Sequence, residues 1–170
     1  MNNIKPYKQE PDIINVLVET PKGSRNKYEL DKELNVYKLD RVLYSSVQYP
    51  GDYGHIPNTL WHDSDPIDVI IKVREPSFPG CLIEARIIGV LNMQDGDEDD
   101  AKILAVPKND PYYERIKNIS DVSPAFLKEV EHFFQVYKQL EPKKEVKVKG
   151  WENKEQAIKA VQKSISMYKN

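Results

Sequence analysis

A regular alternation of apolar and polar residues marks the first part of the chain. In IINVLVE at 13–19, alternate residues from Ile14 to Val18 fall on one face, which is typical of a β-strand. The most apolar runs, at 69–73 and 81–91, predict two further strands. Shorter runs predict strands at 27–30, 42–47 and 103–107. Turns rich in proline and glycine, and a further turn predicted at the acidic stretch 95–100, separate several of these segments, so the pattern predicts a series of short strands.

The apolar spacing becomes helical from Ser123 onward. Ser123 suits the N-cap and Pro124 the first helical position. The stripe that follows consists of Phe126, Val130, Phe133, Phe134 and Tyr137. A second helix is predicted after Asn153, with Gln156 as its capping-box partner. Its stripe consists of Ile158, Val161, Ile165 and Tyr168.

One more strand is predicted between the helices, at 145–151. Strands followed by helices predict an α+β fold that is mainly β, with the strands curled into a small barrel.

The composition narrows the class of protein. A length of 170 residues fits one compact domain over 1–170. The formal net charge of −2 gives no global indication of a nucleic-acid or membrane partner. Cys81 is the sole cysteine, which favours a reducing compartment. Residues 1–12 lack the apolar segment of a signal peptide, and no window approaches the ~18 apolar residues of a membrane span. A cytoplasmic location is therefore predicted.

A cluster of carboxylates precedes one of the apolar runs. Residues 63–69 read DSDPIDV, which places Asp63, Asp65 and Asp68 within six residues. Burying such carboxylates without compensation is costly, and their mutual repulsion adds to the cost. A bound cation would neutralise them, and oxygen ligands select hard ions such as Mg²⁺, Mn²⁺ or Ca²⁺. An acidic surface loop with Pro66 as a turn residue is the alternative interpretation.

A second acidic run, DGDEDDAK at 95–102, follows the long apolar run. Its five carboxylates are Asp95, Asp97, Glu98, Asp99 and Asp100. Charge runs are often solvated loops, but both acidic segments adjoin apolar strands and could meet at one end of a barrel. Neither segment has the Gly and Glu that an EF-hand requires at its sixth and twelfth positions. Carboxylates outside such a loop suit Mg²⁺ and its retained waters better.

Basic and tyrosine side chains form the second set of candidates. The segment KGSRNKYE at 22–29 places three cations beside Glu29, and the segment at 46–57 contains Tyr49 and Tyr53. Further candidates are Arg41, Lys102, Tyr137 and Lys138. Lysine and arginine bind phosphate, and tyrosine hydroxyls add neutral donors. Each of these residues taken singly is equally compatible with a solvent-facing or half-buried structural role.

Several other chemistries lack their motifs. The sequence has no Walker A pattern, no dinucleotide-binding fingerprint and no GxSxG setting for a nucleophilic serine. Its three histidines, His55, His62 and His132, show no zinc-binding spacing.

Seven segments together resemble the soluble, magnesium-dependent inorganic pyrophosphatases of family I. They are DSDPIDV at 63–69, VLVETP at 16–21, KYELDK at 27–32, LDRVLYSSVQYPGDYGHIPNTL at 39–60, GVLNMQDGDEDDAKILAVP at 89–107, HFFQVYKQLE at 132–141 and KVKGWENKEQA at 147–157. The resemblance covers roughly residues 12–165, and the length is similar to that of the short prokaryotic form. It implies a hydrolase that splits pyrophosphate into two phosphates.

The resemblance also implies a role for individual residues. Asp63, Asp68 and Asp100 would hold a first metal ion, with Asp68 bridging to a second. Asp95 and Asp100 would hold a further ion that arrives with substrate, and Asp65 would accept the proton of the attacking water. The substrate-binding residues would be Lys27, Arg41, Tyr53, Lys102, Tyr137 and Lys138. Behind them would lie Glu19, Glu29 and Tyr49.

The family resemblance extends to fold, cofactor and assembly. It implies a five-stranded, OB-like closed barrel with flanking helices, and several Mg²⁺ ions per site, with Mn²⁺ or another divalent ion as alternatives. It implies a homohexamer with His132 at a subunit contact, and neither a nucleic-acid nor a membrane partner. One departure is Gly96, where many members carry an acidic residue, although the spacing from Asp95 to Asp100 is kept. This departure leaves the outer metal ligands less defined.

The implied reaction is a direct in-line attack by water that forms no phospho-enzyme, since no residue resembles an activated nucleophile. Two other classes remain alternatives on the residues alone. One is a different metal-dependent phosphohydrolase that acts on nucleotides or phosphate esters. The other is a non-catalytic OB-type nucleic-acid module, which would require a basic and aromatic face, whereas the densest local charge here is acidic.

Overall fold

The computed structural model describes residues 4–7, 10–142 and 145–169. Within them the chain forms eight β-strands and two α-helices. The strands are β1 (Ile13–Thr20), β2 (Asn26–Asp31), β3 (Val36–Val42), β4 (Asp52–His55), β5 (Asp68–Ile71), β6 (Leu82–Asp95), β7 (Glu98–Pro107) and β8 (Val146–Asn153). The helices are α1 (Pro124–Val136) and α2 (Lys154–Lys169). Two short 3₁₀ segments, Pro111–Tyr113 and Ile119–Asp121, precede α1.

Most predicted strands are confirmed, but three details differ. The strand predicted at 42–47 is wrong, because the strand there is β3 and it ends at Val42. The sequence analysis missed β4, whose four residues are all buried and show no alternation. The acidic stretch predicted as a turn lies mostly in strands: β6 runs through Asp95 and β7 starts at Glu98, which leaves a two-residue turn. Gly96 in that turn has a φ of 61°, a left-handed conformation that glycine adopts without strain.

Both predicted helices are confirmed. The Asn153 side chain accepts a hydrogen bond of 3.1 Å from the backbone N–H of Gln156, which caps α2. The predicted apolar stripe of α2 is partly wrong, because Tyr168 is 51% exposed and the fully buried positions include Ala157 and Ser164. No helix within the described ranges combines the length and the apolar character that crossing a membrane requires.

Six strands form one sheet in the order β1-β4-β5-β7-β6-β8, and β1 pairs with β6 as well as with β4. The β5–β7 pair is parallel, and the other pairs are antiparallel. The two remaining strands form a separate two-stranded sheet, here called the β2–β3 ribbon. The prediction of a mainly β fold with helices is confirmed.

The apolar runs are continuous because the central strands are buried on both faces. On β5, Val69 and Ile71 belong to a core cluster that includes Val161 of α2. The intervening Ile70 belongs to a second cluster, which includes Phe134 of α1. Strand side chains alternate between faces, so each face of β5 requires apolar residues. This double burial fixes the position of Asp68, the first residue of the strand.

Candidate active site

Carboxylates, cations and tyrosines from several elements line one cavity of about 330 Å³. The lining consists of Glu19, Lys27, Glu29, Leu30, Lys32, Tyr53, His55, Asp63, Asp65, Pro66, Asp68, Asp95, Glu98, Asp100, Lys102, Tyr137 and Lys138. The five aspartates that the sequence singled out as metal ligands or proton acceptor are all in this set. The two acidic segments therefore meet in space, although they lie on different parts of the chain.

Asp68 lies at the centre of the charged network. It opens β5, and the parallel register places it opposite Lys102 of β7. Lys102 Nζ is 2.5 Å from Asp68 Oδ2 and 2.7 Å from Asp100 Oδ1, and Tyr53 donates its hydroxyl to Asp68 at 2.5 Å. Burial alone would raise the pKa of Asp68, but Lys102 and Tyr53 hold it below its usual value. Asp68 therefore stays ionised, although only 21% of its side chain is exposed.

The pKa of Lys102 shifts in the complementary direction. Burial opposes its charge, but the attraction of Asp68 and Asp100 raises the pKa of Lys102 well above its usual value. Its side chain is only 4% exposed. One buried cation thus compensates two buried carboxylates.

Asp63 and Asp65 lie in the loop between β4 and β5. Asp63 accepts a hydrogen bond of 3.1 Å from the backbone N–H of Asp65, and Ser64 between them has a φ of 67°. Burial, together with the charges of Asp68 and Asp100, raises the pKa of Asp63. Asp65 is the most accessible of these carboxylates, with 70% of its side chain exposed and Lys32 3.2 Å away. The two aspartates of the loop therefore have different environments.

The β6–β7 hairpin divides its acidic residues between two surfaces. Asp95 and Glu98 line the cavity together with Asp100, and Asp95 forms an ion pair with Lys138. The adjacent Asp99 does not line the cavity, and its Oδ1 lies 2.7 Å from Lys149 Nζ. Because strand residues alternate between faces, the run of carboxylates cannot act as one unit. Gly96 has no atom within 4 Å of the position a Cβ would take, so it lies in open space at the turn.

Most of the predicted phosphate-binding residues line the cavity. Lys27 lies on β2 and forms an ion pair with Glu29. Tyr53 and Tyr137 are buried, with 7% and 4% of their surface exposed. Burial raises the pKa of both phenols above the usual value, so each hydroxyl remains protonated and can donate a hydrogen bond.

Two predicted site residues do not line the cavity. Arg41 lies opposite Lys27 on the ribbon, but its guanidinium contacts Glu141 at 2.8 Å and Asp40 at 2.5 Å. Tyr49 is almost fully buried behind Tyr53, with their ring centroids 5.2 Å apart. Within the described part of the chain the Tyr49 hydroxyl has no hydrogen-bond partner. Tyr49 therefore supports the tyrosine wall from behind, and Arg41 stands at the edge of the site.

The sequence analysis assigned no site role to three ionisable cavity residues, Lys32, His55 and Glu98, or to the cavity residues Leu30 and Pro66. The three ionisable residues lie inside segments that carry the family resemblance. Glu98 belongs to the second acidic run, whereas Lys32 and His55 have no spacing that indicates a function. His55 follows the glycine of GDYG, and its ring Nδ1 is 3.3 Å from Glu19 Oε1. Only the pairing of β4 with β1 brings these two residues together.

The donor set of the cavity suits a hard divalent cation. Its acidic ligands are carboxylate oxygens without any sulfur, a set that favours Mg²⁺ or Mn²⁺ over zinc. Among residues 4–7, 10–142 and 145–169, no three acidic, histidine or cysteine side chains are gathered as a ready metal-binding group. Instead, Lys102 lies against Asp68 and Asp100, and Lys138 lies against Asp95. These lysines neutralise the same carboxylates that an ion would otherwise neutralise.

Comparison with known proteins identifies the family of this chain. The family model described as inorganic pyrophosphatase matches residues 16–169. The inorganic pyrophosphatase of a Nostoc species is 51% identical over 164 residues, which are 96% of each chain. That of Halalkalibacterium halodurans is 48% identical over 94% of this chain and 98% of its own. The crystal structure of inorganic pyrophosphatase from Thermus thermophilus superposes with a TM-score of 0.95 at 40% identity, covering 99% of this chain and 98% of that one. The chain therefore belongs to the inorganic pyrophosphatases of family I, as its motifs predicted.

Proposed function

We propose that this protein hydrolyses inorganic pyrophosphate to two orthophosphates in a Mg²⁺-dependent reaction. One observation carries the proposal: five aspartates, from a loop and three strands, line a single cavity together with lysine and tyrosine donors. Carboxylates bind metal ions, and the opposing cations bind phosphate, so the cavity combines both requirements of phosphoryl transfer. The names of the relatives, all inorganic pyrophosphatases, agree with this activity.

The five aspartates would have two different roles. Asp63, Asp68, Asp95 and Asp100 would hold the metal ions. Mg²⁺, when bound there, lowers the pKa of a coordinated water and neutralises charge on the phosphoryl oxygens. Asp65 would accept the proton of the attacking water, since it is the most exposed of the five and lies at the rim of the cavity.

Water attacks one phosphorus in line, and the bond from that phosphorus to the bridging oxygen breaks. The electron pair of the broken bond stays on the bridging oxygen, which leaves with the second phosphate. The cavity lining contains no serine, threonine or cysteine among the described residues, so direct attack without a phospho-enzyme is the simplest route.

The cationic and phenolic side chains of the site would hold the two phosphoryl groups. The residues assigned to this role are Lys27, Arg41, Tyr53, Lys102, Tyr137 and Lys138. The protonated phenols of Tyr53 and Tyr137 supply neutral donors, and the cations balance the charge of the leaving phosphate. Arg41 would have to exchange its contacts with Asp40 and Glu141 for a phosphate. These phosphate-binding donors would be supported by Glu19, Glu29 and Tyr49.

The remaining features of the proposal rest on the family resemblance. The five strands β1, β4, β5, β7 and β6 pair successively and return to β1, an order that supports the OB-like closed barrel. We take residues 1–170 as one domain, the assembly as a homohexamer with His132 near a subunit contact, and the location as the cytoplasm. No nucleic-acid or membrane partner is included.

The test is phosphate release from pyrophosphate, measured with and without Mg²⁺ beside nucleotides and phosphate esters. We expect Mg²⁺-dependent release from pyrophosphate at a rate well above that from the esters. Preferential hydrolysis of a nucleotide or an ester would instead assign the site to another phosphohydrolase. A gel-shift titration with single-stranded oligonucleotides is expected to show no binding; binding without phosphate release would support the nucleic-acid module.

A further inference from the structure

The Glu19 carboxylate links the two sheets that carry the site. Glu19 lies near the end of β1, and its Oε1 accepts a hydrogen bond of 3.1 Å from the backbone N–H of Leu30 on β2. The side chain of Glu19 is 13% exposed, so this bond is shielded from water. The β2–β3 ribbon forms a sheet of its own and does not pair with the six-stranded sheet. Next to the Glu19–Leu30 bond, a second hydrogen bond of 3.0 Å joins the two sheets, from the Tyr28 N–H to Thr20 Oγ1. Glu19 is therefore one of the attachments that place the ribbon.

His55 contacts the same carboxylate oxygen from the other side. Its Nδ1 is 3.3 Å from Glu19 Oε1, and its side chain is 11% exposed. The backbone of β4 sets the place of the ring, because His55 pairs with Leu17 of β1 and with Asp68 of β5. Gly54 permits this close pairing, since a Cβ there would lie 2.1 Å from the carbonyl oxygen of Leu17. His55 is thus held firmly at the junction of the two sheets.

The Glu19–Leu30 hydrogen bond affects the proposed phosphate-binding residue Lys27, because Lys27 lies on the same strand as Leu30. Lys27 and Glu29 alternate with Tyr28 along β2, line the cavity together and form an ion pair. A displacement of β2 relative to β1 would move the Lys27 ammonium relative to the aspartates. A misplaced binding group loses part of its interaction with substrate, even where its own chemistry is intact.

We propose that His55 is a positioning residue: its Nδ1–H donates to Glu19, holds that carboxylate against the Leu30 N–H, and so fixes Lys27 in the cavity. An ionised carboxylate only accepts hydrogen bonds, so the donor in this contact is the imidazole. His55 itself touches no reacting group in this scheme. The kinetic part of the inference rests on the proposed hydrolysis of pyrophosphate.

The test compares two substitutions of opposite donor capacity. His55→Asn retains an N–H at nearly the place of Nδ1, whereas His55→Phe keeps a flat ring and removes the donor. We expect His55→Phe to raise KM for pyrophosphate about 10-fold with kcat nearly unchanged, the result of losing binding common to ground and transition states. His55→Asn is expected to stay within about 2-fold of the wild type in both constants. In a Glu19→Met background, which removes the acceptor oxygens at similar side-chain length, His55→Phe should have little further effect, because the two residues act through one contact.

Hydrogen exchange at the Leu30 amide gives a readout independent of activity. It should be faster in His55→Phe than in the wild type and unchanged in His55→Asn. Equal changes in both variants, or a loss in kcat alone, would overturn the positioning role. So would a full effect of His55→Phe in the Glu19→Met background. If the wild type released no phosphate, the proposed function would fail, while the exchange comparison would still decide whether His55 anchors the ribbon.

Discussion

Asp68 and Lys102 face one another across the parallel β5–β7 pair, with Lys102 Nζ 2.5 Å from Asp68 Oδ2. The same ammonium lies 2.7 Å from Asp100. Two carboxylates and one ammonium thus meet in the cavity, so one positive charge faces two negative charges. The site is consequently sensitive both to the loss of this lysine and to the addition of a cation.

Replacing Lys102 by methionine is expected to destabilise the protein in the presence of a chelator. Asp100 would remain buried without its cation, and Asp68, 21% exposed, would lose its closest one. Breaking a buried pair from one side costs about 3–5 kcal/mol, and the partial exposure of Asp68 places the expected loss at the lower end of that range. Urea unfolding at pH 7 measures the change. Lys149→Met is the matched control: it also removes a lysine from a carboxylate, but at a surface where Lys149 and Asp99 are 48% and 64% exposed, so its effect should be small. Equal losses in both variants would contradict the central role of Lys102.

The dependence of stability on pH should differ in sign between the wild type and Lys102→Met. In the wild type the pKa of Asp68 is lowered in the folded state, so its contribution is present above the unfolded value of ~3.9 and is lost as pH falls through the folded value. In the variant, burial without a partner raises that pKa, so the folded state takes up protons first and gains stability on acidification. The difference in unfolding free energy should therefore shrink as pH falls from 7 toward 4. A constant difference would contradict this assignment.

Removal of divalent ions is expected to abolish hydrolysis. The acidic groups that line the cavity are all carboxylates, which favour Mg²⁺, so activity should return with Mg²⁺. Ca²⁺ should inhibit, because it binds the same oxygens with longer and looser coordination. Phosphate release in excess chelator, with each ion added back in turn, is the measurement. Full turnover in the chelator would exclude the metal-dependent reaction.

Asp65 and Asp68 should respond differently to substitution by asparagine. Asp65→Asn keeps the shape of the side chain but removes the base, and kcat should fall about 10²–10⁴-fold with Mg²⁺ affinity little changed. Asp68→Asn removes a buried ligand, so Mg²⁺ affinity itself should fall and activity should require more Mg²⁺. Calorimetric titration of both variants with Mg²⁺ separates the roles. If Asp65→Asn lost the metal as severely as Asp68→Asn, the base would have to be another group.

Assembly is expected to be homohexameric, with His132 at a subunit contact. His132 is exposed on α1 in the single chain, so it is available for such a contact. Light scattering at pH 7.5 on the wild type and on His132→Asn tests both statements, with weaker association expected in the variant. A monomer at micromolar concentration and pH 7.5 would refute the hexamer.

The sequence by itself determined the apolar strands, both helices and the family. These features depend on local patterns: the run at 69–73 is apolar because β5 is buried on both faces, and Pro124 and Asn153 mark helix starts by their own backbone and side-chain chemistry. The motif DSDPIDV also indicated the carboxylate site before any spatial arrangement was known. Local interactions are visible in sequence because the interacting residues are neighbours along the chain.

Only the tertiary structure decided which charged residues meet. The parallel register pairs Asp68 with Lys102, and the contact between β1 and β4 brings Glu19 to His55. The alternation of side chains on the β6–β7 hairpin sends Asp100 into the cavity and Asp99 away from it. Each of these outcomes depends on strand pairing between distant segments, and a composition of lysines and carboxylates does not specify which pairs form. The burial that makes Asp68 and Lys102 mutually dependent likewise exists only once both faces of the sheet are covered.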